Sequence, residues 1–221
     1  MSNLPLLEEL DQDGAIQEAA SKVEGDTRAS FLRKAGVGTG ALIGGGMLAG
    51  GLPALAKAAA ASDVDILNYA LTLEYLEAAF YTEAVAKGRF DGELGRFAGV
   101  VKGHEVEHVS FLRGALGSSA VKRPKFDFKG TTTDKSKFMA TAKALEDTGV
   151  SAYLGQVGNI KSKKILAAAG SILPVEARHA AWIRDLIAHG GKPVPAPSAF
   201  EGARTKKQVL AVVKSTGFIV G

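Results

Sequence analysis

Two segments of the chain place a carboxylate and an imidazole three residues apart: Glu105 with His108, and Glu176 with His179. On a helix, residues at this spacing are neighbours on one face, so each pair points the same way. The rest of each face is apolar. Leu94, Ala98 and Val101 precede the first pair, and Leu112 and Ala115 follow it; Ile165, Ala169 and Ile172 precede the second, and Ile183 and Leu186 follow it. A lone pair of this kind is ordinarily a solvated surface pair. Here it recurs on core-facing stripes and uses two of the four His in the chain. A carboxylate buried beside an imidazole is costly unless something compensates both groups, and a metal ion does so.

The elements that position these pairs repeat as well. Glu74 is followed seven residues later by Tyr81, and Glu146 seven residues later by Tyr153. Glu105 lies 31 residues after Glu74, and Glu176 lies 30 after Glu146. The chain therefore reads as two copies of one unit, a helix carrying Glu-x6-Tyr and then a helix carrying Glu-x-x-His. Two such units form a four-helix bundle with four carboxylates and two imidazoles pointing inward. Helix one is expected from Ser62 as N-cap to Gly88, and helix two from Asp91 to Gly114–Gly117. Helix three is expected to start at Thr133 or Asp134 and stop at Gly158, and helix four to run to about Ala188 with Pro174 kinking it. Residues 117–133 lack helical period and suit a long crossover. A short helix is expected over residues 205–214, packed on the bundle as a lid or brace.

With these motifs in place, residues about 62–190 resemble the ferritin-like superfamily. In that superfamily Glu on helices one and three and Glu-x-x-His on helices two and four bind two metals. The wording Leu71-Thr72-Leu73-Glu74-Tyr75-Leu76-Glu77-Ala78-Ala79-Phe80-Tyr81 is most similar to exported bacterial ferritin-like proteins grouped with desiccation-related proteins. Glu146-Asp147-Thr148-Gly149-Val150-Ser151-Ala152-Tyr153 and the Pro-x-Glu-x-x-His segment at Pro174 are similar to the same branch. The resemblance implies an all-α fold: a ferritin-like four-helix bundle with a long crossover between helices 2 and 3, plus a short C-terminal helix. It implies metal ligands at Glu74, Glu105, His108, Glu146, Glu176 and His179. Glu77 lies on the same inner face and its counterpart in the second copy is Gly149. It is read as a seventh ligand or as an acceptor for a ligand His, against the plainer reading of a wet bundle edge. His104 is read as a partner of a ligand or as a surface residue and not as a ligand itself, and His189 as complementing a helix C-terminus. Tyr81 and Tyr153 are candidate catalytic residues, hydrogen-bonding ligand carboxylates or relaying an electron, with ordinary core tyrosines as the alternative.

The domain division expected is 1–61, an export signal and linker; 62–190, the bundle; and 191–221, a C-terminal extension. In the first segment, Thr27-Arg28-Ala29-Ser30-Phe31-Leu32-Arg33-Lys34 is similar to a twin-arginine signal, with Ala29 standing where the second arginine belongs. An uncharged run from Ala35 to Ala56 follows, ending in Ala54-Leu55-Ala56, a small-residue cleavage pattern. Its eight Gly make it weakly hydrophobic, so cleavage is favoured over a membrane anchor at residues 35–56. The expected location is periplasm, cell wall or extracellular space, with membrane contact only through this signal. Residues 57–221 carry 23 Lys and Arg against 16 Asp and Glu, a formal charge of +7. These cations are dispersed, which suits a solvated surface, and no nucleic-acid partner is expected.

The chain has no Cys, which excludes disulfides, thiolate ligands and a Cys nucleophile. Hard carboxylates with two imidazoles suit two Fe ions, or alternatively two Mn ions, and argue against copper or structural zinc. Four Glu offset two divalent cations. The chemistry expected is two-electron exchange with O2 or peroxide: oxidation of ferrous iron, or reduction of peroxide, in oxidative or desiccation stress. The alternative is a non-catalytic ferritin-like stress or surface protein whose metal is structural or vestigial. The sequence leaves homo-oligomer formation open.

Overall fold

The computed structural model describes residues 61–188 and 194–220. The export signal, the uncharged run at 35–56 and the reading of His189 lie outside those residues. The described chain contains five α-helices: α1 (Ala61–Lys87), α2 (Gly92–Leu116), α3 (Lys135–Val157), α4 (Lys163–Ala188) and α5 (Lys206–Thr216). A single 3-10 turn, Gly117–Ser119, follows α2. The fold is all-α, and the only pairing of extended backbone among the described residues is an isolated bridge between Phe126 and Ile219.

Helix α1 packs chiefly on α2 and α3 chiefly on α4, with α1–α3 and α2–α4 contacts closing a four-helix bundle. The chain rises along α1 and descends α2 to the end where α1 began, so it must climb back to the opposite end before α3. The crossover does this by lying along α1. At one end Asn68 holds it with two hydrogen bonds, its Nδ2 donating to the Ser119 carbonyl (2.9 Å) and its Oδ1 accepting from the Val121 amide (2.8 Å). At the other end Thr132 Oγ1 donates to Glu83 (2.7 Å). Fifteen residues of α1 separate these anchors, about 22 Å of helix. Helix α1 is consequently covered on almost every side, and all residues from Leu73 to Tyr81 are buried. Its apolar residues accordingly run all round the helix instead of forming one stripe.

The helix ends refine the sequence expectations. Helix α1 is already helical at Ala61, so Ser62 lies inside it and its buried Oγ finds no partner. Asp63 does not simply face the α1 terminus: its carboxylate accepts the backbone amides of Lys161 (3.0 Å) and Ser162 (2.9 Å), just before α4. Asp91 occupies the α2 N-cap position without a side-chain cap bond, whereas Asp134 caps α3 by accepting from the Lys137 amide. Helix α4 continues through Pro174; Gly170 and Pro174 are both exposed, on the side where water can satisfy the carbonyl that proline leaves free. Thr205 and Gln208 form a capping box that starts α5.

Two apolar clusters fill the bundle. One is aromatic, with Phe80 packed against Tyr81, Phe128 and Phe138 at 5.2–5.4 Å between ring centroids. The other is mainly aliphatic, with Leu67, Leu71, Leu112, Leu116, Ile165 and Ile172. Tyr81 belongs to the first and Tyr153 to the second. Helix α5 contributes Val209 and Val213 to the aromatic cluster, and Phe218 just after it packs edge-on against Phe128 at 5.4 Å.

Candidate metal centre

The four bundle helices each bring at least one charged side chain into the core. Glu74, Glu105, Glu146 and Glu176 are fully buried, Glu77 and His179 nearly so, and His108 is partly buried. On α2, α3 and α4 each is in register with the apolar residues above and below it, so packing that face buries the polar group too; on α1, covered almost all round, Glu74 and Glu77 lie within a run that is buried throughout.

Their contacts divide along the internal repeat. His108 Nδ1 faces Glu74 Oε2 at 3.2 Å, Glu176 Oε1 at 3.2 Å and Glu105 Oε2 at 3.4 Å. His179 Nδ1 faces Glu105 Oε1 and Glu146 Oε2, both at 3.2 Å. Two overlapping sets result, Glu74–Glu105–His108–Glu176 and Glu105–Glu146–Glu176–His179. Within each set one ligand atom per residue lies within 4.8 Å of all the others. Glu105 and Glu176 belong to both. Glu105 turns one oxygen to each imidazole.

The tyrosines separate the outer carboxylates from the shared ones. Tyr153 donates to Glu74 Oε1 and Tyr81 to Glu146 Oε1, each at 2.5 Å. Each tyrosine thus serves the glutamate of the other repeat. One oxygen of Glu74 and of Glu146 is occupied and the second is left facing its imidazole. Burial, followed by the neighbouring carboxylates, pushes both phenols well above the ordinary tyrosine range and keeps them protonated donors. They are more than ordinary core tyrosines in their contacts.

Glu77 falls outside both sets. Its place is explained by Gly149: a Cβ there would come within 3.0 Å of Glu176 Oε2 and 3.3 Å of Glu77 Oε1. The missing side chain of Gly149 is what leaves room for the extra carboxylate. Burial first, and then the Glu176 and Glu146 charges, push the Glu77 carboxyl well above the usual range.

Without a cation the cluster is poorly satisfied. Glu105 Oε1, Glu146 Oε2, both oxygens of Glu176 and His179 Nδ1 are buried without a hydrogen-bond partner, although the imidazole nitrogen stands 3.2 Å from two of these oxygens. The groups approach one another without the angles a hydrogen bond requires. One shared proton serves only two such atoms, so protons alone leave orphans, each costly in a dry core. The protons that are held show the same tension. Burial and then the Glu105 charge raise Glu74 to about 8, and burial raises Glu146 and Glu176 as well. Burial also acts on Glu105, but the close approach of His108, His179 and Glu74 outweighs it and brings that carboxyl down to about 2. Burial would discharge His179, yet Glu105 and Glu146 outweigh it and raise the imidazole to about 10. His108 shifts up for the same reason. Two divalent cations with these oxygen and nitrogen donors would satisfy the orphaned atoms together, and the donor set fits them.

His104 lies one turn before His108 and is exposed, yet its Nδ1 stands 2.8 Å from His179 Nε2. Sequence spacing places it near His108 on its own helix; only the packing of α2 on α4 brings it to His179. A pocket open to solvent is lined by His104, Glu107, His108, Arg178, His179 and Trp182, so this face leads from the surface to both imidazoles. The indole of Trp182 donates to Glu93 on α2 at 3.0 Å and helps hold α2 and α4 together there.

Comparison with known proteins agrees with this geometry. The model of a family described as a ferritin-like domain matches residues 62–189, which include every residue of both ligand sets. No curated protein matches the chain.

Proposed function

The chain belongs to the ferritin-like domain family, and on that premise we propose that it is a di-metal carboxylate oxidoreductase. The metal is Fe, with Mn as the alternative, and the reaction is oxidation of ferrous iron or reduction of peroxide. The observation that carries this reading is the pair of overlapping ligand sets, joined through Glu105 and Glu176 and lined by buried atoms without partners. A bound pair of such ions would supply two-electron exchange with dioxygen or peroxide. The residues of the chain do the rest. Glu74, Glu105 and Glu176 with His108 would hold one ion, and Glu146, Glu105 and Glu176 with His179 would hold the other. Tyr81 and Tyr153 fix the outer glutamates by one oxygen each and keep a phenolic proton beside the site. The aromatic and aliphatic clusters exclude water from either end of the bundle. Glu77 adds a carboxylate that takes up a proton or balances added positive charge.

Export belongs to the same proposal. It is supported by basic residues 28–34, the uncharged stretch after them and the Ala54-Leu55-Ala56 pattern, and it makes residues 57–221 the mature chain. N-terminal sequencing of the secreted protein would locate the cleavage.

The experiment that tests the metal reading is the metal content of residues 57–221 after anaerobic loading with Fe(II) or Mn(II), alongside Glu105→Ala, Glu176→Ala. The expected result is about two ions per chain, lost in the double variant because both shared carboxylates are gone. A chain that takes up neither metal overturns the reading.

A further inference from the structure

The internal repeat pairs Glu105 with Glu176 and His108 with His179. It therefore pairs His104, one residue before Glu105, with Val175, one residue before Glu176. The two imidazoles are consequently treated differently. His179 Nε2 meets His104 Nδ1 at 2.8 Å, and the two rings lie nearly parallel, 15° apart with centroids 5.1 Å apart. The repeat puts Val175 at the place equivalent to His104, a side chain that neither donates nor accepts, and both Val175 and His108 line the solvent-facing pocket. Among the described residues His108 Nε2 has no hydrogen-bond partner, and its side chain is 12% exposed against 3% for His179. Both imidazoles turn Nδ1 toward the carboxylates. An imidazole that ligates through Nδ1 carries its proton on Nε2, and an acceptor for that proton fixes both tautomer and ring orientation.

We infer that His104 is a positioning residue, accepting the Nε2 proton of His179, and that it makes the two cation positions unequal. The position formed by Glu146 and His179 holds its ion more tightly than the position formed by Glu74 and His108. The inference rests on the di-metal reading and adds to it an order of filling: the His179 side first, and the more exposed His108 side second.

Anaerobic Mn(II) titration of residues 57–221, followed by loss of the free-ion electron paramagnetic resonance signal, reads this directly. The native chain takes up two ions in two resolved steps. His104→Val weakens the tighter step by roughly 10–100-fold, the usual cost of removing a residue that orients a ligand imidazole, and draws the steps together. His104→Gln, which keeps an acceptor, recovers part of the loss. Val175→His strengthens the weaker step. His104 is exposed, so these changes leave the helical circular dichroism of the metal-free chain intact, and that spectrum confirms folding. A second readout is the 15N-labelled, Zn(II)-loaded chain: one slowly exchanging imidazole Nε2 proton is present with one equivalent and absent in His104→Val. Two equal steps in the native chain, or His104→Val with both steps unchanged, overturn the inference while the di-metal reading stands. A native chain that binds no ion overturns both.

Discussion

At the residue scale the proposed centre sets protons against cations for the same few atoms. The metal-free cluster holds protons that solution chemistry would remove. His179, raised from 6.5 to about 10, contributes stability that is fully present below its ordinary value and is lost as pH rises through about 10. Glu74, raised from 4.5 to about 8, likewise makes the metal-free fold weaken as pH climbs between those values. Glu105 works in the opposite sense: its low value contributes stability above 4.5 that is lost as pH falls toward about 2. The metal-free protein therefore melts at a lower temperature at about pH 9 than at about pH 6. A loaded protein gains in the same interval, because fewer protons compete for its ligands. Calorimetric melting with and without Mn(II) should show the two curves separating as pH rises. Uptake of metal in weakly buffered solution near neutral pH should release acid. Equal pH dependence of the two forms would mean that the cations bind elsewhere.

At the element scale, the bundle depends on a few polar contacts that carry one helix end onto another. Asp63 is the clearest. Removing its carboxylate by Asp63→Ala leaves the Lys161 and Ser162 amides without their acceptor in front of α4. The expected cost is roughly 1–3 kcal/mol, measured as a lower urea midpoint with metal stoichiometry unchanged at saturation. Asp63→Asn, which keeps one acceptor oxygen, should lose less. The apolar stripes and the Gly158 stop made α1 to α4 readable from sequence, since helical period and breakers are local properties. The destination of Asp63 was not readable: an acid in a first turn looks like a partner for its own helix, and only the return of the chain at residues 161–162 gives it another. Gly149 is similar. Its place on the inner stripe of α3 was visible, but the recess it leaves for Glu77 and Glu176 exists only once α1, α3 and α4 are packed.

At the scale of the whole molecule, the candidate ligands sit between two apolar clusters that the crossover and the C-terminal segment help to close. Phe128 in the crossover and Phe218 after α5 meet at the aromatic end. Backbone bonds join the same two segments: Asp127 N to Phe218 O at 2.9 Å and Val220 N to Lys125 O at 3.0 Å. Ending the chain at residue 193 removes Val209, Val213 and Phe218 from the core. Each such side chain contributes roughly 1.5–3 kcal/mol when buried, so the shortened protein should melt several degrees lower. Because every ligand lies in α1 to α4, it should still take up two ions per chain. Loss of metal with no loss of stability would show that the C-terminal segment acts on the centre and not as a brace.

The sequence by itself determined the repeat, the helices and the identity of the inward carboxylates and imidazoles. Each of these follows from spacing along one helix, where 3.6 residues per turn fixes which side chains share a face. Tertiary structure alone decided the relations between helices. It divided Glu74 and Glu146 from the shared Glu105 and Glu176, crossed Tyr81 and Tyr153 to the opposite repeat, and carried His104 to His179. Those contacts join residues 65 to 79 positions apart. No local period encodes such distances; they arise when four stripes bury one another and their polar members must share the same small volume.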